Sequence, residues 1–221
     1  FDLGITGRDW IEETAADVVS LTELHYSKAT ARPIRVVLAV AADSPAATVT
    51  DLPAGLRVHT EYPQLTRRYF ERHGIDAHVE LSYGATEAKV PDIADAVVEI
   101  TETGRALRAA GLRIIDTILT SYTELIASRE AYADPAKRAA MEQLMVLLNG
   151  ALEARGRVLV KCNVDGANLD AVIGLLPALK SPTVSKLFNE DAYAVETVVA
   201  KREINTPVSY THLTLPTILL V

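Results

Sequence analysis

Residues 34–42, IRVVLAVAA, constrain this chain more than any other segment, because nearly every residue in the run is apolar. A strand covered on one face alternates apolar and polar residues, whereas a continuous run must be buried on both faces. Layers must therefore pack on either side of it. Its neighbours fit that demand. Asp2 to Ile5 reads as a short strand that turns through Thr6-Gly7 into a helix carrying Trp10 and Ile11. Residues 23–32 read as a loop or crossover, and 43–55, with two prolines and a glycine, as a surface loop. Further strands are expected at Leu56–Thr60, Ala77–Ser82, Ala94–Ile100 and Leu112–Thr120. A helix over Tyr62–His73, with Leu65 and Tyr69 on one face, stops at Gly74. Strands alternating with helices imply an α/β architecture with mostly parallel strands, whose ligands bind at the strands' carboxyl ends.

The segment 94–112, ADAVVEITETGRALRAAGL, is the most informative of those ends. An apolar strand carrying Glu99 breaks into Thr101-Glu102-Thr103-Gly104, and a helix starts at Arg105. The free N–H groups of a first helical turn and the helix dipole suit a phosphate. Gly104 allows close backbone approach, and Thr101 and Thr103 can donate hydroxyls. The same turn also reads as a simple helix start capped by Thr103.

The second half has a different pattern. Asp134-Pro135 starts a long helix to about Ala154, with Met141, Leu144, Met145, Leu148 and Leu152 at core spacing. Val158–Val164 follows as a strand, then a helix over Asn168–Leu179, then strands at Val184–Leu187 and Tyr193–Lys201. This βαββ run is the start of a ferredoxin-like module that wants one more helix and strand. Cys162, the single cysteine, reads as a small buried strand residue and excludes an internal disulfide. Residues 207–221, PVSYTHLTLPTILLV, change character abruptly and are set apart as a tail foreign to the fold, the alternative being a genuine terminal strand against which its two prolines argue. The chain also enters its first strand directly at Phe1, which reads as a piece of a longer protein.

A net charge of −7 argues against a broad nucleic-acid surface. No apolar stretch approaches the ~18 residues that span a bilayer, and no signal peptide is visible. A cytoplasmic enzyme or binding protein is expected.

Five segments in order, DLGITGRDW, TEYPQLTRRYF, YGATE, ADAVVEITETGRALRAAGLR and ALKSPTVSKL, resemble the motifs of ATP phosphoribosyltransferase in its long form. The likeness runs over about residues 1–206. It implies a catalytic part of two α/β lobes like a type II periplasmic binding protein, followed by a partial ferredoxin-like (α+β) histidine sensor. Residues 1–33 with 113–154 would form part of lobe I, 34–112 lobe II, and 155–206 the regulatory domain. The family moves the phosphoribosyl group of phosphoribosyl pyrophosphate to N1 of ATP in the first step of histidine biosynthesis, releasing pyrophosphate and requiring Mg²⁺.

The resemblance also implies roles. Glu99 takes the place of the acid beside the ribose and the developing positive charge at C1′. Thr101, Glu102, Thr103, Gly104, Arg105, Ala106 and Leu107 would hold the 5′-phosphate. Asp2, Thr6 and Gly7 would lie near ATP, with Tyr62 stacking on adenine and Glu87 a further candidate. Leu179 and Thr183 would contact the feedback inhibitor histidine. No general base and no protein ligand for Mg²⁺ is assigned, since the leaving pyrophosphate would carry the metal. A homo-oligomer, dimer to hexamer, is implied. Without the family's N-terminal segment the chain alone is expected to be inactive. The alternative reading is a non-catalytic small-anion-binding module of the same fold, which has no need for the acid before the Thr-Gly turn or for the tyrosine in EYP.

Overall fold

The computed structural model describes residues 1–25, 33–176, 181–188, 190–200 and 218–220, with backbone only for the last three. The chain divides into two compact units, 1–148 and 149–221.

Unit 1 contains two sheets. Five strands, β3 (Ile34–Ala41), β4 (Leu56–Thr60), β5 (Ala77–Leu81), β6 (Ala96–Thr101) and β7 (Leu112–Ser121), form a sheet of order β5-β4-β6-β3-β7. The apolar run in β3 is buried on both faces, as its composition requires. Val36, Leu38 and Val40 join the core under helix α2 (Pro63–Arg72), with Val58, Leu65, Tyr69 and Phe70. Val37 and Ala39 face the opposite core with Val97, Leu107 and Leu112, beneath the short helix α3 (Arg105–Ala109).

The expectation of mostly parallel strands needs correction. Only β4–β5 and β4–β6 are parallel; β3 runs antiparallel to both β6 and β7. The reason is the path of the chain. It enters this lobe on β3 and leaves it on β7, and the two lie side by side in opposite directions. Burial on both faces selects an apolar run but does not select the direction of the neighbouring strand.

The second sheet of unit 1 is three-stranded and antiparallel, β1 (Leu3–Gly7), β8 (Thr123–Ser128) and β2 (Val18–Leu24), with β8 central. Part of β2 lies where a loop was expected, and β8 was not anticipated. Helix α1 (Arg8–Thr14) follows β1 directly. After β8 come α4 (Arg129–Ala133) and α5 (Pro135–Ala154). Asp134 Oδ1 accepts from the N–H groups of Ala136 and Lys137, so the anticipated cap of α5 is present. Met141 packs on Ala127 and Ala131 and is the buried residue of α5. Leu144, expected in the core, is 38% exposed.

Unit 2 holds β9 (Arg157–Asp165), α6 (Leu169–Leu175), β10 (Thr183–Lys186), β11 (Ala192–Ala200) and β12 (Ile218–Leu220), in the antiparallel order β10-β11-β9-β12. Cys162, Val164 and Val195 form its core with Leu169, Val172 and Leu176 from the helical side. Cys162 is buried, and burial raises its thiol pKa, as suits a packing residue. The βαββ run is that of a ferredoxin-like module. Ile218–Leu220, within the segment set apart in the sequence as a tail, pair with Val160–Cys162 on the free edge of β9.

Candidate active site

The parallel strands β4, β5 and β6 run in one direction, so their carboxyl ends share one edge. Register sets Thr60 beside Leu81 and beside Val98. The residues just beyond are Glu61-Tyr62, Ser82 to Thr86, and Glu99 to Gly104. Ligands of open α/β sheets bind outside such ends.

Glu99 is half-buried on β6. Desolvation pushes its carboxyl above the ordinary range. The nearby Thr86 hydroxyl and a hydrogen bond from the Ile100 N–H pull it down, and the like charges of Glu87 and Glu61 push it up. Glu87 thus sits within the electrostatic reach of Glu99. Thr86 and Glu87 belong to a 3₁₀ turn, Thr86–Lys89. Thr86 is fully buried there.

After Glu99 the chain forms the expected turn. The Thr101 hydroxyl accepts from the Gly104 N–H at 2.7 Å. Gly104 is the N-cap residue of α3, with φ of 72° and no side-chain cap. The reading in which Thr103 caps the helix is therefore not what forms. A Cβ on Gly104 would lie 2.9 Å from Arg108 Nη1 and 3.2 Å from Ile114 Cδ1. The left-handed backbone is what reserves the position for glycine, since the neighbouring atoms are side-chain ends that can shift. Leu107 is buried and anchors α3, while Thr103, Arg105 and Ala106 are exposed and Thr101 and Glu102 half-buried. The N–H groups of Arg105, Ala106 and Leu107 have no intrahelical acceptor.

The segments DLGITGRDW and EYP meet through Tyr62 and through two residues the sequence did not single out, Asp9 and Ser121. Tyr62 donates its hydroxyl to Asp9 Oδ2 at 2.8 Å, and Asp9 Oδ1 accepts the Ser121 hydroxyl at 2.6 Å. Ser121 Oγ in turn accepts the Asp9 N–H at 3.0 Å. Burial and the Asp9 carboxylate raise the Tyr62 phenol pKa. The Tyr62 ring is only 3% exposed, tilted against Trp10 at a centroid distance of 5.2 Å. In this arrangement it offers no open face for a base.

Glu13, one turn after Asp9, accepts from the N–H groups of Gln64 and Leu65 at 2.9 and 2.8 Å. It caps α2 from another helix, where α2 has no cap of its own. Arg68, half-buried, donates to the Glu12 carbonyl. The sequence signal was available: Asp9 and Glu13 are four apart, on one helix face, and both are buried.

Thr6 and Gly7 are half-buried at the end of β1 that feeds α1, so they lie next to this network. Asp2 lies at the opposite end of the strand, exposed, and pairs with Lys137 at 2.8 Å. Thr183 is an exposed residue of β10 opposite Glu196, and Leu179 falls outside the described residues. No group of three or more His, Cys, Asp or Glu that could hold a metal exists among the described residues. No helix among them is long and apolar enough to cross a membrane.

Several known proteins resemble this chain. Residues 1–150 match the family described as ATP phosphoribosyltransferase, and residues 154–210 match the HisG C-terminal domain. The chain is 50% identical over 204 residues to an ATP phosphoribosyltransferase of Chlorobium phaeovibrioides, covering 92% of this chain and 69% of that protein. It is 52% identical over 203 residues to one from Desulforudis audaxviator, covering 92% and 70%. A solved ATP phosphoribosyl transferase (HisG:HisZ) complex from Thermotoga maritima matches with a TM-score of 0.59 at 27% identity, over 69% of this chain and 70% of that one.

Proposed function

The chain belongs to the ATP phosphoribosyltransferase family, and from that premise we propose that its phosphoribosyl transfer runs at the carboxyl ends of β4, β5 and β6. The reaction joins C1′ of phosphoribosyl pyrophosphate to N1 of ATP and breaks the bond from C1′ to pyrophosphate. N1 attacks with its own lone pair, so no general base is needed. Glu99 faces the positive charge that builds at C1′ as the leaving group departs, and its carboxylate stabilises that charge where solvent is excluded. The 5′-phosphate rests on the backbone of 101–107, anchored by the Thr101–Gly104 contact, and Arg105 supplies a nearby cation. Thr6 and Gly7 line the ATP side. Tyr62 meets adenine only after its bond to Asp9 opens.

Mg²⁺ is the family's metal. The diphosphate of the substrate would hold it, as phosphates commonly hold Mg²⁺, and no protein ligand is assigned. Thr183, with Leu179, is proposed to meet feedback histidine in the C-terminal module. A cytoplasmic homo-oligomer completes the reading.

The observation that carries the site is Glu99 beside buried Thr86, one step before a turn closed by a positive-φ glycine. Calorimetric titration tests it. Phosphoribosyl pyrophosphate with Mg²⁺ should bind, and Gly104→Ala should weaken that binding. Equal binding of a simple carboxylate, with no preference for the phosphoribosyl ligand, would favour an anion-binding module instead.

A further inference from the structure

Tyr83, two residues beyond the end of β5, is 69% exposed, and the turn that carries it holds it outward. Ser82 and Thr86 on either side are buried. The Ser82 N–H donates to the Thr60 carbonyl at 2.9 Å, which ties the turn to β4. The Ser82 and Thr86 hydroxyls lie 3.2 Å apart, and Lys89 Nζ donates to Ser82 Oγ. Between these anchors the chain passes through Gly84 at φ of 66° and Ala85 at φ of 48°. Residues with a side chain rarely hold a left-handed backbone, and such positions persist where their surroundings over-determine them. With 82 and 86 drawn inward, the three residues between them form an exposed tip. An aromatic side chain fixed there forgoes the burial that normally stabilises it.

Register limits what the ring can meet. Leu81, Thr60 and Val98 stand side by side on β5, β4 and β6. Glu99 lies one residue beyond that row, and Tyr62 and Tyr83 two. Only β4 separates β5 from β6, so Tyr83 and Glu99 rise from backbones about 10 Å apart, two strand spacings. A tyrosine and a glutamate across that span can flank one flat heterocycle. In the transfer reaction N1 of ATP meets the carbon that Glu99 faces, so the purine lies in the same span. Tyr62 presents no face to it, being buried, bonded to Asp9 and tilted against Trp10. Tyr83 is the tyrosine of this edge whose ring is open.

We propose that Tyr83 is the platform on which the adenine of ATP stacks, a positioning residue that sets N1 beside the ribosyl carbon. This deepens the transfer-site reading above and rests on it. Stacking acts on the base and not on the phosphates, and the test separates the two. The whole chain is titrated calorimetrically with MgATP, with phosphoribosyl pyrophosphate, and with Mg²⁺ tripolyphosphate, which has the phosphates without the base. Tyr83→Ala is expected to weaken ATP by about 10- to 100-fold and to leave the other two ligands as in the parent. Tyr83→Phe and Tyr83→Trp keep a ring and should bind ATP about as tightly as the parent. Because Tyr83 is exposed, its removal should leave the fold intact, which thermal melting checks. Unchanged ATP affinity in Tyr83→Ala would overturn the proposal and leave the transfer site standing. So would an equal loss of tripolyphosphate, or a loss that Tyr83→Phe does not restore. A parent chain with no affinity for either substrate would overturn the transfer-site reading itself, and this proposal with it.

Discussion

Tyr62 donates its hydroxyl to Asp9 across 2.8 Å, and each of the two side chains is only 3% exposed. The bond joins the residue before α2 to the first turn of α1, with Ser121 of β7 on the other carboxylate oxygen. Tyr62→Phe removes the donor and leaves a buried carboxylate oxygen unsatisfied. The expected loss is about 1–3 kcal/mol in urea unfolding. A variant as stable as the parent would show that the bond contributes nothing net.

Gly7→Ala should strike the same network from a different residue. Its Cβ would lie 2.1 Å from Asp9 Oδ1, while the backbone at Gly7 is ordinary extended structure. The damage is therefore steric displacement of Asp9. In an Asp9→Ala background the obstacle is gone, and Gly7→Ala should cost far less than in the parent. Additive losses in that double-mutant cycle would contradict this account.

Glu13 caps α2 through Gln64 and Leu65. Glu13→Ala should destabilise by about 1–2 kcal/mol, the usual range for a lost helix cap. Glu13→Gln keeps an acceptor oxygen but loses the charge that complements the helix dipole, and should fall between the two. Thermal melts of the three proteins decide the order.

Glu99→Gln should be more stable than the parent at neutral pH. Burial raises the folded-state pKa of Glu99 above its unfolded value, so the native state holds this proton more tightly. Stability is then present at low pH and declines as pH climbs from the unfolded pKa, about 4.3, through the folded one. Glutamine removes that decline. The same variant should lose about tenfold or more in affinity for a cationic iminoribitol phosphate, while binding phosphoribosyl pyrophosphate nearly as before, because the anion matters most to positive charge. Equal losses for both ligands would move Glu99 out of its assigned role.

Asp95 titrates in the opposite sense. Arg57 donates to it through its backbone N–H and its guanidinium, at 2.8 to 3.2 Å, and holds its carboxyl below the usual range. A depressed folded-state pKa stabilises the protein above the unfolded value of about 3.9, and that benefit disappears as pH falls through the folded value. The stability gap between the parent and Asp95→Asn should be constant at neutral pH and close in acid. Both partners are partly exposed, so high salt should shrink it. A gap independent of pH would rule out the ion pair as its source.

Much of the element order follows from local pattern. The apolar run of β3, the Gly74 stop, the Asp134-Pro135 cap and the Thr101–Gly104 turn each depend on a few neighbouring residues, and each forms. Where the pattern is broken, legibility fails. The pairing of β2 with β8 shifts register between Ser20 and Thr22, which spoils the alternation that would mark a strand. Only Tyr122 separates β7 from β8, so no turn signal divides them.

By itself the sequence determined which segments are strands buried on both faces, where the Thr101–Gly104 turn lies, and which acid precedes it, because backbone preference and side-chain periodicity act over a few residues. Only the tertiary structure decided that β3 and β7 run antiparallel, that Ser121 meets Asp9 across 112 positions, and that Tyr62 is buried against Asp9 rather than open. Those outcomes depend on which buried polar groups find partners once distant segments pack, and desolvation makes an unpaired group too costly to leave. Such pairing is a property of the assembled core and leaves no periodic trace in the chain.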